Sequence, residues 1–292
     1  MRYAKLGADE DAFFIEQSIC IIGLGLMGGS LALALRGYCS RLIGVDPEPA
    51  TLALARQKNV VDFATDDLAE ALAQADLVIL AAPVRTNLAL LEKIPQIHPD
   101  PLSIIDLSST KSAIVAAMNQ LPQEFSALGG HPMCGKEKAG LAHADGKLFW
   151  DATFALTETE RTTPALRTLA YQIITIISAH PLWIYAPTHD RWAAATSHLP
   201  YLVSSALAAS TPPEVAPLIG PGFQSTGRLA GSDITMMLDI LTTNREHVLK
   251  ALDRYKITLE EIESALRNAG DELPGLLEKA RQNRKTLMKR QM

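Results

Sequence analysis

A glycine-rich turn between two apolar runs, within residues 18–46, constrains the fold of this chain more than any other segment. The apolar run at residues 18–22 leads directly into the motif GLGLMG at residues 23–28, and a helical pattern follows. A second apolar run ends on Asp46. Strand, glycine turn, helix, strand and acidic residue, in this order and with the acid about 20 residues after the glycines, are typical of a dinucleotide-binding βαβ unit. A purely structural glycine turn is the alternative.

The motif gives each of its glycines a separate expected task. Gly23 permits the tight turn, Gly25 lets the backbone approach a pyrophosphate, and Gly28 lets the helix lie close to the sheet. The pyrophosphate would lie at the free N–H groups of the helix N-terminus, next to Leu26 and Met27. We expect these five residues to bind the cofactor.

Asp46 predicts which dinucleotide binds. A carboxylate at the end of the second strand can accept hydrogen bonds from the adenosine ribose hydroxyls, and it repels the additional phosphate of NADP. Pro47 and Glu48 follow, so no basic residue stands immediately after Asp46 to offset this repulsion. The sequence therefore predicts NAD as the cofactor.

Strand and helix patterns alternate through the first half of the chain. Three further apolar runs, at residues 76–82, 103–106 and 125–129, are separated by segments of helical pattern. This alternation predicts a doubly wound α/β domain with a mainly parallel sheet, in which ligands bind beyond the carboxyl ends of the strands. Besides the glycine turn and Asp46, the residues at those ends are Pro83, Ser108, Ser109 and His131. We expect Pro83 and Ser108 to line the cofactor site.

Strands give way to helices in the second half. The last two predicted strands are residues 153–156 and 182–185, and only helical patterns follow. The predicted fold class is therefore α/β, with an N-terminal Rossmann-type doubly wound sheet followed by an all-helical C-terminal domain. The predicted parts are an N-terminal extension (1–17), a dinucleotide-binding domain (18–186) and a helical substrate and dimerisation domain (187–292).

The helical part predicts self-association. Its predicted helices include residues 188–209, 233–241 and 246–268, with a further helix from 270. They carry more apolar surface than one small bundle needs, so we expect a homodimer through the C-terminal helices. The last helix is basic at its end, which we interpret as a solvated helix terminus and not as a nucleic-acid site.

Composition narrows the class of partner. A net charge of −5 argues against nucleic acid or an anionic membrane as the main partner, and leaves room for a small anionic substrate. No apolar run approaches the roughly 20 residues that span a bilayer, and no signal-peptide pattern is present. Cys20, Cys39 and Cys134 have neither disulfide nor metal spacing. We expect a cytoplasmic protein without a metal.

Two strand-end residues could carry chemistry. His131 follows two glycines and precedes a proline, so we expect it in a loop, where an imidazole can accept a proton near neutral pH. Its alternative role is to satisfy backbone groups of that loop. Ser109 could hydrogen-bond a substrate oxygen, or it could cap the helix that follows, or both.

Three further residues are candidates from the second half. His189 and His198 lie nine positions apart on one predicted helix and would face different directions, which argues against a shared metal ion. Arg228 follows the glycine-rich residues 220–227, and in a free loop its guanidinium would suit bidentate binding of a carboxylate. A surface arginine is the alternative.

Six motifs, spread over most of the chain, resemble those of a known family. They are GLGLMGGS (23–30), APVRT (82–86), DLSSTK (106–111), GGHPMCGKEKAG (129–140), SHLP (197–200) and GFQSTGRLAGSD (222–233). Together they resemble the prephenate/arogenate dehydrogenase family of tyrosine biosynthesis, over about residues 18–265, with GGHPM as the most specific part. The resemblance implies a Rossmann-type domain, a helical dimerisation domain and oxidative decarboxylation with a nicotinamide cofactor.

The resemblance also implies roles for individual residues. His131 would accept the proton of the substrate's ring hydroxyl, Ser109 would orient that hydroxyl, and Arg228 would pair with a substrate carboxylate. His198 and His189 would lie in or beside the pocket. Hydride would pass to NAD, and the ring carboxylate would leave as carbon dioxide.

The chain departs from the family pattern where the substrate's side chain would bind. Lys136 stands where the family often has threonine, and Gln224 and Ser225 replace a basic residue and an aspartate. Met237 replaces a tryptophan found in some members. Lys136 and Gln224 are therefore candidate substrate-binding residues, and the choice between prephenate and arogenate stays open. The chain ends too soon for the regulatory domain of some members, so feedback by tyrosine would act at the active site.

Two rival functions remain at this stage. One is another two-domain dehydrogenase, acting on a β-hydroxyacid or an imine, which would lack a histidine base in a GGHP segment. The other is a noncatalytic NAD-binding protein, which would bind cofactor without turning over a cyclohexadienyl substrate.

Overall fold

The computed structural model describes residues 14–136, 138–268 and 272–289. The chain divides into two compact units, the first ending at Asn244 and the second beginning at Arg245. An eight-stranded sheet forms the centre of the first unit, with the order β3-β2-β1-β4-β5-β6-β7-β8. Its strands are β1 Ile15–Ile22, β2 Cys39–Val45, β3 Phe63–Thr65, β4 Leu77–Leu80, β5 Ser103–Asp106, β6 Ser126–Pro132, β7 Thr153–Glu158 and β8 His180–Trp183.

Helices cover both faces of the sheet. Those of the first unit are α1 Leu26–Leu35, α2 Pro49–Gln57, α3 Leu68–Leu72, α4 Val84–Ile97, α5 Ser112–Asn119, α6 Pro164–Ile176, α7 Ala186–Ala193, α8 Leu199–Ser210, α9 Pro221–Gly227 and α10 Ile234–Thr243. Ile19 and Ile21 of β1 belong to the core beneath α1, α2 and α6, whereas Cys20 and Ile22 belong to the core beneath α3, α4 and α5. Burial on both faces explains why the strand sequences are continuously apolar.

The order of the strands reverses next to β1. β1 pairs in parallel with β2 on one side and with β4 on the other, so β2 and β3 extend the sheet in one direction and β4, β5 and β6 extend it in the other. Ligands of doubly wound sheets bind where the order reverses, beyond the carboxyl ends of the strands. The glycine turn after β1 lies at that point, and the predicted α/β fold is confirmed.

The strand β6 corrects the expectation for His131. We expected a strand that ends at Gly129 and a loop that carries His131, but β6 continues to Pro132. The reason is β7, which pairs with β6 antiparallel and sets His131 opposite Ala155. The pairing of β6 with β5 ends at Gly129, and beyond it β7 keeps His131 on the strand and not in a free loop.

Three other boundaries differ from the predictions. β1 begins at Ile15, so the predicted extension 1–17 overlaps it, and residues 1–13 lie outside the described part. β8 begins and ends two residues before the predicted strand. The glycine-rich segment before Arg228 is not a free loop, because its Pro221 begins the helix α9.

The predicted helix 188–209 is interrupted by one wide turn. α7 and α8 are joined by the π-helical residues Ala194–His198. Pro200 has no N–H to donate to the carbonyl four residues before it, which removes one regular helical hydrogen bond at this point. π-turns of this kind are frequent at functional sites, and this one ends on His198.

The second compact unit is a pair of helices, α11 Arg245–Arg267 and α12 Glu272–Lys289, which contact each other. β8 is the last strand among the described residues, as predicted, although the compact units divide later in the chain. The predicted domain boundary at 186/187 stays a prediction. No helix in the described ranges is long and apolar enough to cross a membrane.

A buried ion pair joins the ends of β5 and β6. The side chains of Lys111 and Asp106 are both fully buried, and the Lys111 ammonium donates to the two Asp106 oxygens at 2.7 and 2.6 Å. The same ammonium donates to the Gly130 carbonyl at 2.6 Å, and the Gly130 N–H donates to Asp106 at 3.1 Å. Burial lowers the pKa of Lys111, and the Asp106 carboxylate opposes that shift.

We predict that Asp106→Asn destabilises the first unit strongly, because it leaves the Lys111 ammonium buried without a counter-charge. The expected loss in the free energy of unfolding is about 3–5 kcal/mol. Glu158→Gln is the control, since the Glu158–Arg167 pair is about half exposed and such pairs contribute about 0–1 kcal/mol. Urea unfolding followed by circular dichroism measures both. Equal losses in the two variants would contradict the structural role given to the buried pair.

Candidate active site

The glycine turn has the geometry of a pyrophosphate cradle. Gly23 has a φ of +95°, and a Cβ there would lie 2.9 Å from the backbone of Ala81 and Ala82. A Cβ on Gly28 would lie 1.9 Å from the Gly23 carbonyl oxygen, so only glycine lets α1 begin this close to the turn. At Gly25, by contrast, a Cβ would meet nothing within 4 Å, which leaves open space beside the backbone.

The start of α1 is available to an anion. Its N-cap residue is Gly25, which has no side chain to accept hydrogen bonds from the first N–H groups of the helix. Leu26 and Met27 begin the helix and are partly exposed. An uncapped helix N-terminus beside open space fits the pyrophosphate of a dinucleotide.

The Asp46 carboxylate is fixed at the end of β2. One oxygen accepts the N–H of Leu24 at 2.8 Å, and the other accepts the N–H of Glu48 at 3.0 Å. The side chain is partly exposed, and each carboxylate oxygen has a further lone pair for a ribose hydroxyl. This geometry fits the predicted role of Asp46.

The predicted residues after β4 and β5 differ in exposure. Pro83 is exposed at the N-cap of α4. Ser108 is buried, where its hydroxyl accepts from the Asn87 amide at 2.9 Å and its N–H donates to Asp106 at 2.7 Å. Ser109 is partly exposed, and it does not cap α5, because that helix begins at Ser112 with Lys111 as its N-cap residue.

His131 is partly buried at the end of β6, beside a second histidine. Its Nδ1 lies 2.8 Å from Nε2 of His189. Burial, the neighbouring His189 and the Lys111 charge hold the pKa of His131 well below its ordinary value of 6.5, with only Asp190 acting in the opposite direction. His131 is therefore neutral at physiological pH, and Nε2 is the ring nitrogen left for a substrate.

His189 and Asp190 are buried behind His131. Nδ1 of His189 lies 2.9 Å from Oδ1 of Asp190. Burial alone would raise the pKa of Asp190, but hydrogen bonds from His189 and from Ser112 outweigh it and hold this pKa at about 2. His189 was predicted to lie in or beside the substrate pocket, and the structure places it next to Nδ1 of His131.

His198 belongs to the same cluster. Its Nδ1 lies 3.2 Å from the Asn244 amide nitrogen, which also donates to the Asp190 carbonyl at 2.7 Å. Nε2 of His198 is buried and has no hydrogen-bond partner among the described residues. Burial lowers the pKa of His198 to about 4. His198 and His189 are thus both linked to Asp190, His189 directly and His198 through Asn244.

The predicted side-chain recognition residues lie on other elements. Lys136 is exposed and pairs with Asp145 at 3.1 Å. Gln224 is exposed on α9, and Arg228 is exposed in the short 3₁₀ turn Arg228–Gly231. The helix α9 and this turn both contact α8. Their assignment to the substrate stays a prediction.

Sequence reasoning missed the residues that support His131. Asp190 stands next to His189 in the sequence, which is a weak signal. Lys111 lies in a recognised motif, but nothing in its spacing indicated full burial against Asp106. Asn244 carried no signal, because its contacts to His198 and Asp190 join residues 46 and 54 positions apart in the sequence.

Comparisons with known proteins identify the family and agree with the fold. A family model described as "Prephenate dehydrogenase, nucleotide-binding domain" matches residues 31–182, and one described as "Prephenate dehydrogenase, dimerization domain" matches residues 185–281. The prephenate dehydrogenase of Bacillus subtilis is 32% identical over 259 residues, which cover 85% of this chain and 69% of that protein.

Two solved structures are similar over nearly their whole length. The prephenate dehydrogenase from A. aeolicus, in complex with hydroxyphenyl propionate and NAD+, has a TM-score of 0.84 and 29% identity over 93% of this chain and 98% of that chain. Synechocystis arogenate dehydrogenase has a TM-score of 0.77 and 30% identity, over 92% and 99% of the two chains. The chain therefore belongs to the prephenate/arogenate dehydrogenase family, as its motifs predicted.

Proposed function

We propose that this chain catalyses the NAD-dependent oxidative decarboxylation of prephenate to 4-hydroxyphenylpyruvate in tyrosine biosynthesis. The observation that carries the proposal is His131, a neutral imidazole at the end of β6 with Nδ1 engaged and Nε2 left for a substrate. β1 and β6 both end at the same edge of the sheet, so His131 and the pyrophosphate cradle border one crevice. Family membership supports the same reaction.

The chemistry requires one base and a hydride acceptor. Nε2 of His131 takes the ring hydroxyl proton as the C–O bond becomes a carbonyl. NAD, held by the glycine turn and Asp46, would supply the acceptor for the hydride that leaves that carbon. The bond between the ring and its carboxylate then breaks, and its electron pair aromatises the ring as carbon dioxide leaves. His131 returns the proton to the phenolate oxygen, so the reaction releases no net proton.

The other residues of the site would orient the substrate. Ser109, partly exposed after β5, would hydrogen-bond the reacting hydroxyl. The buried Nε2–H of His198 would donate to the substrate, since Asn244 occupies Nδ1. Arg228, Lys136 and Gln224 would recognise the carboxylates. Gly23, Gly25, Gly28 and Asp46 would hold NAD, with Pro83 and Ser108 beside it.

Arogenate dehydrogenase is the second candidate function, because the Synechocystis enzyme of that name is 30% identical to this chain. Prephenate and arogenate differ only in the side chain, which carries a keto group or an amino group. Lys136 is paired with Asp145, so the residue that would distinguish the two side chains is not assigned by its contacts.

The assembly we propose is a homodimer through the C-terminal helices, and the location we propose is the cytoplasm.

We predict that the purified protein forms NADH with prephenate, more slowly with arogenate, and that His131→Asn lowers kcat by about 10²- to 10⁴-fold because the proton acceptor is lost. NAD affinity, measured by fluorescence titration, should not change. His180→Asn is the control, since His180 is exposed at the start of β8. Near-normal turnover by His131→Asn would refute the mechanism, and NAD binding without turnover of either substrate would favour a noncatalytic protein.

We predict a preference for NAD over NADP that depends on the charge of Asp46. Asp46→Asn should lower the ratio of kcat/KM for NAD to that for NADP about tenfold or more, because the repulsion of the NADP phosphate is lost. Asp100→Asn is the control. It also removes one negative charge, but Asp100 precedes β5 and lies at the amino ends of the strands, away from the cofactor site, so the ratio should not change. A wild-type preference for NADP would overturn the assignment of Asp46.

A further inference from the structure

Two buried side chains, His189 and Asp190, extend the hydrogen bonding of His131 away from the substrate side of its ring. Nδ1 of His131 lies 2.8 Å from Nε2 of His189, and Nδ1 of His189 lies 2.9 Å from Oδ1 of Asp190. His189 and Asp190 are 3% and 1% exposed, so water does not compete for these hydrogen bonds. The three groups form one continuous hydrogen-bonded series that ends at Nδ1 of His131, the ring nitrogen that does not face the substrate in the proposed reaction.

The backbone fixes the carboxylate end of this series. Oδ1 of Asp190 accepts the N–H of Lys111 at 2.7 Å, and Oδ2 accepts the N–H of Ser112 at 2.8 Å. These are the first N–H groups of α5, so Asp190 on α7 caps a helix that is distant in sequence. The same contacts keep Asp190 ionised, with a pKa of about 2. An ionised carboxylate can only accept hydrogen bonds.

The hydrogen positions follow from this constraint. Because Asp190 accepts, Nδ1 of His189 must carry a proton, and the Nε2 of a neutral His189 must then have a lone pair. That lone pair accepts the proton on Nδ1 of His131, which leaves the lone pair of His131 on Nε2. We propose that His189 and Asp190 are positioning residues that hold His131 in the tautomer able to accept the substrate's proton. This proposal rests on the proposed function, in which His131 is the base.

The same series affects the positive charge that His131 gains when it takes the substrate's proton. The charged and titratable groups facing His131 are Lys111 at the start of α5, His189 and Asp190 on α7, and His198 at the wide turn. Among these groups only Asp190 favours the imidazolium, whereas Lys111, although paired with Asp106, disfavours it. Asp190 therefore stabilises the protonated His131 through His189, without accepting the proton itself.

The first test changes His189 and leaves the helix cap intact. His189→Leu removes the acceptor for Nδ1 of His131, and kcat should fall about 10²-fold with KM for prephenate and NAD changed less than about threefold. His189→Gln keeps an acceptor near the position of Nε2, so it should restore most of the loss. Equal activity of the wild type and His189→Leu, or a change confined to KM, would overturn the proposal.

The second test separates the charge of Asp190 from its role as a helix cap. Asp190→Asn should lower kcat about tenfold or more and move the acid limb of kcat/KM, which lies below pH 6.5 in the wild type, to still lower pH. Asp67→Asn is the matched control, because Asp67 caps α3 through the N–H groups of Ala69 and Glu70 and contacts no histidine. It should lower Tm without changing kcat or the pH profile. A wild-type pH profile in Asp190→Asn would refute the role of the charge.

A third measurement does not depend on turnover. In ¹⁵N-histidine NMR of the ligand-free wild type at pH 7, His131 should show a protonated Nδ1 and a lone pair on Nε2, with signals assigned from His131→Asn and His189→Gln. A protonated Nε2 on His131, or a charged His189, would overturn the proposed series. If neither prephenate nor arogenate is turned over, the proposed function fails, and these nitrogen signals still decide the tautomer.

Discussion

The ion pair between Lys111 and Asp106 is the interaction on which the site depends. It is fully buried, and it joins the end of β5, the start of α5 and the backbone of Gly130 immediately before His131. A buried charge without its partner would be strongly unfavourable, so these three segments are held in one arrangement. The ion pair therefore holds the backbone next to His131, and the His131 side chain is held by its contact with His189.

Charge is arranged so that His131 stays neutral. The buried cation and Asp106 compensate each other, and the second buried carboxylate, Asp190, is satisfied by two backbone N–H groups and His189. Burial then disfavours the imidazolium form of His131 and His198. A neutral imidazole is the form that can take a proton from a hydroxyl, and Asp190 is linked to this imidazole through His189.

The part of the site proposed to bind the cofactor could be predicted from the sequence. The residues that surround His131 could not. The glycine turn and Asp46 belong to one contiguous βαβ unit, whose spacing and residue types are dictated locally. His131 was identified as the base candidate, but its place on a strand depends on the antiparallel pairing with β7, which no local pattern encodes. The same is true of Asp190, which caps a helix that begins 78 residues earlier in the chain. Pro200 was visible in the sequence, yet no local pattern predicted the wide turn Ala194–His198 before it.

The central claim is that one site oxidises a ring carbon and releases the ring carboxylate. The most direct test supplies prephenate with ¹³C in the ring carboxylate, and measures labelled carbon dioxide and NADH in the same reaction. The account predicts one labelled carbon dioxide for each NADH, and loss of both products together in His131→Asn. NADH formed without labelled carbon dioxide would mean an oxidation that leaves the carboxylate in place, and it would contradict the account.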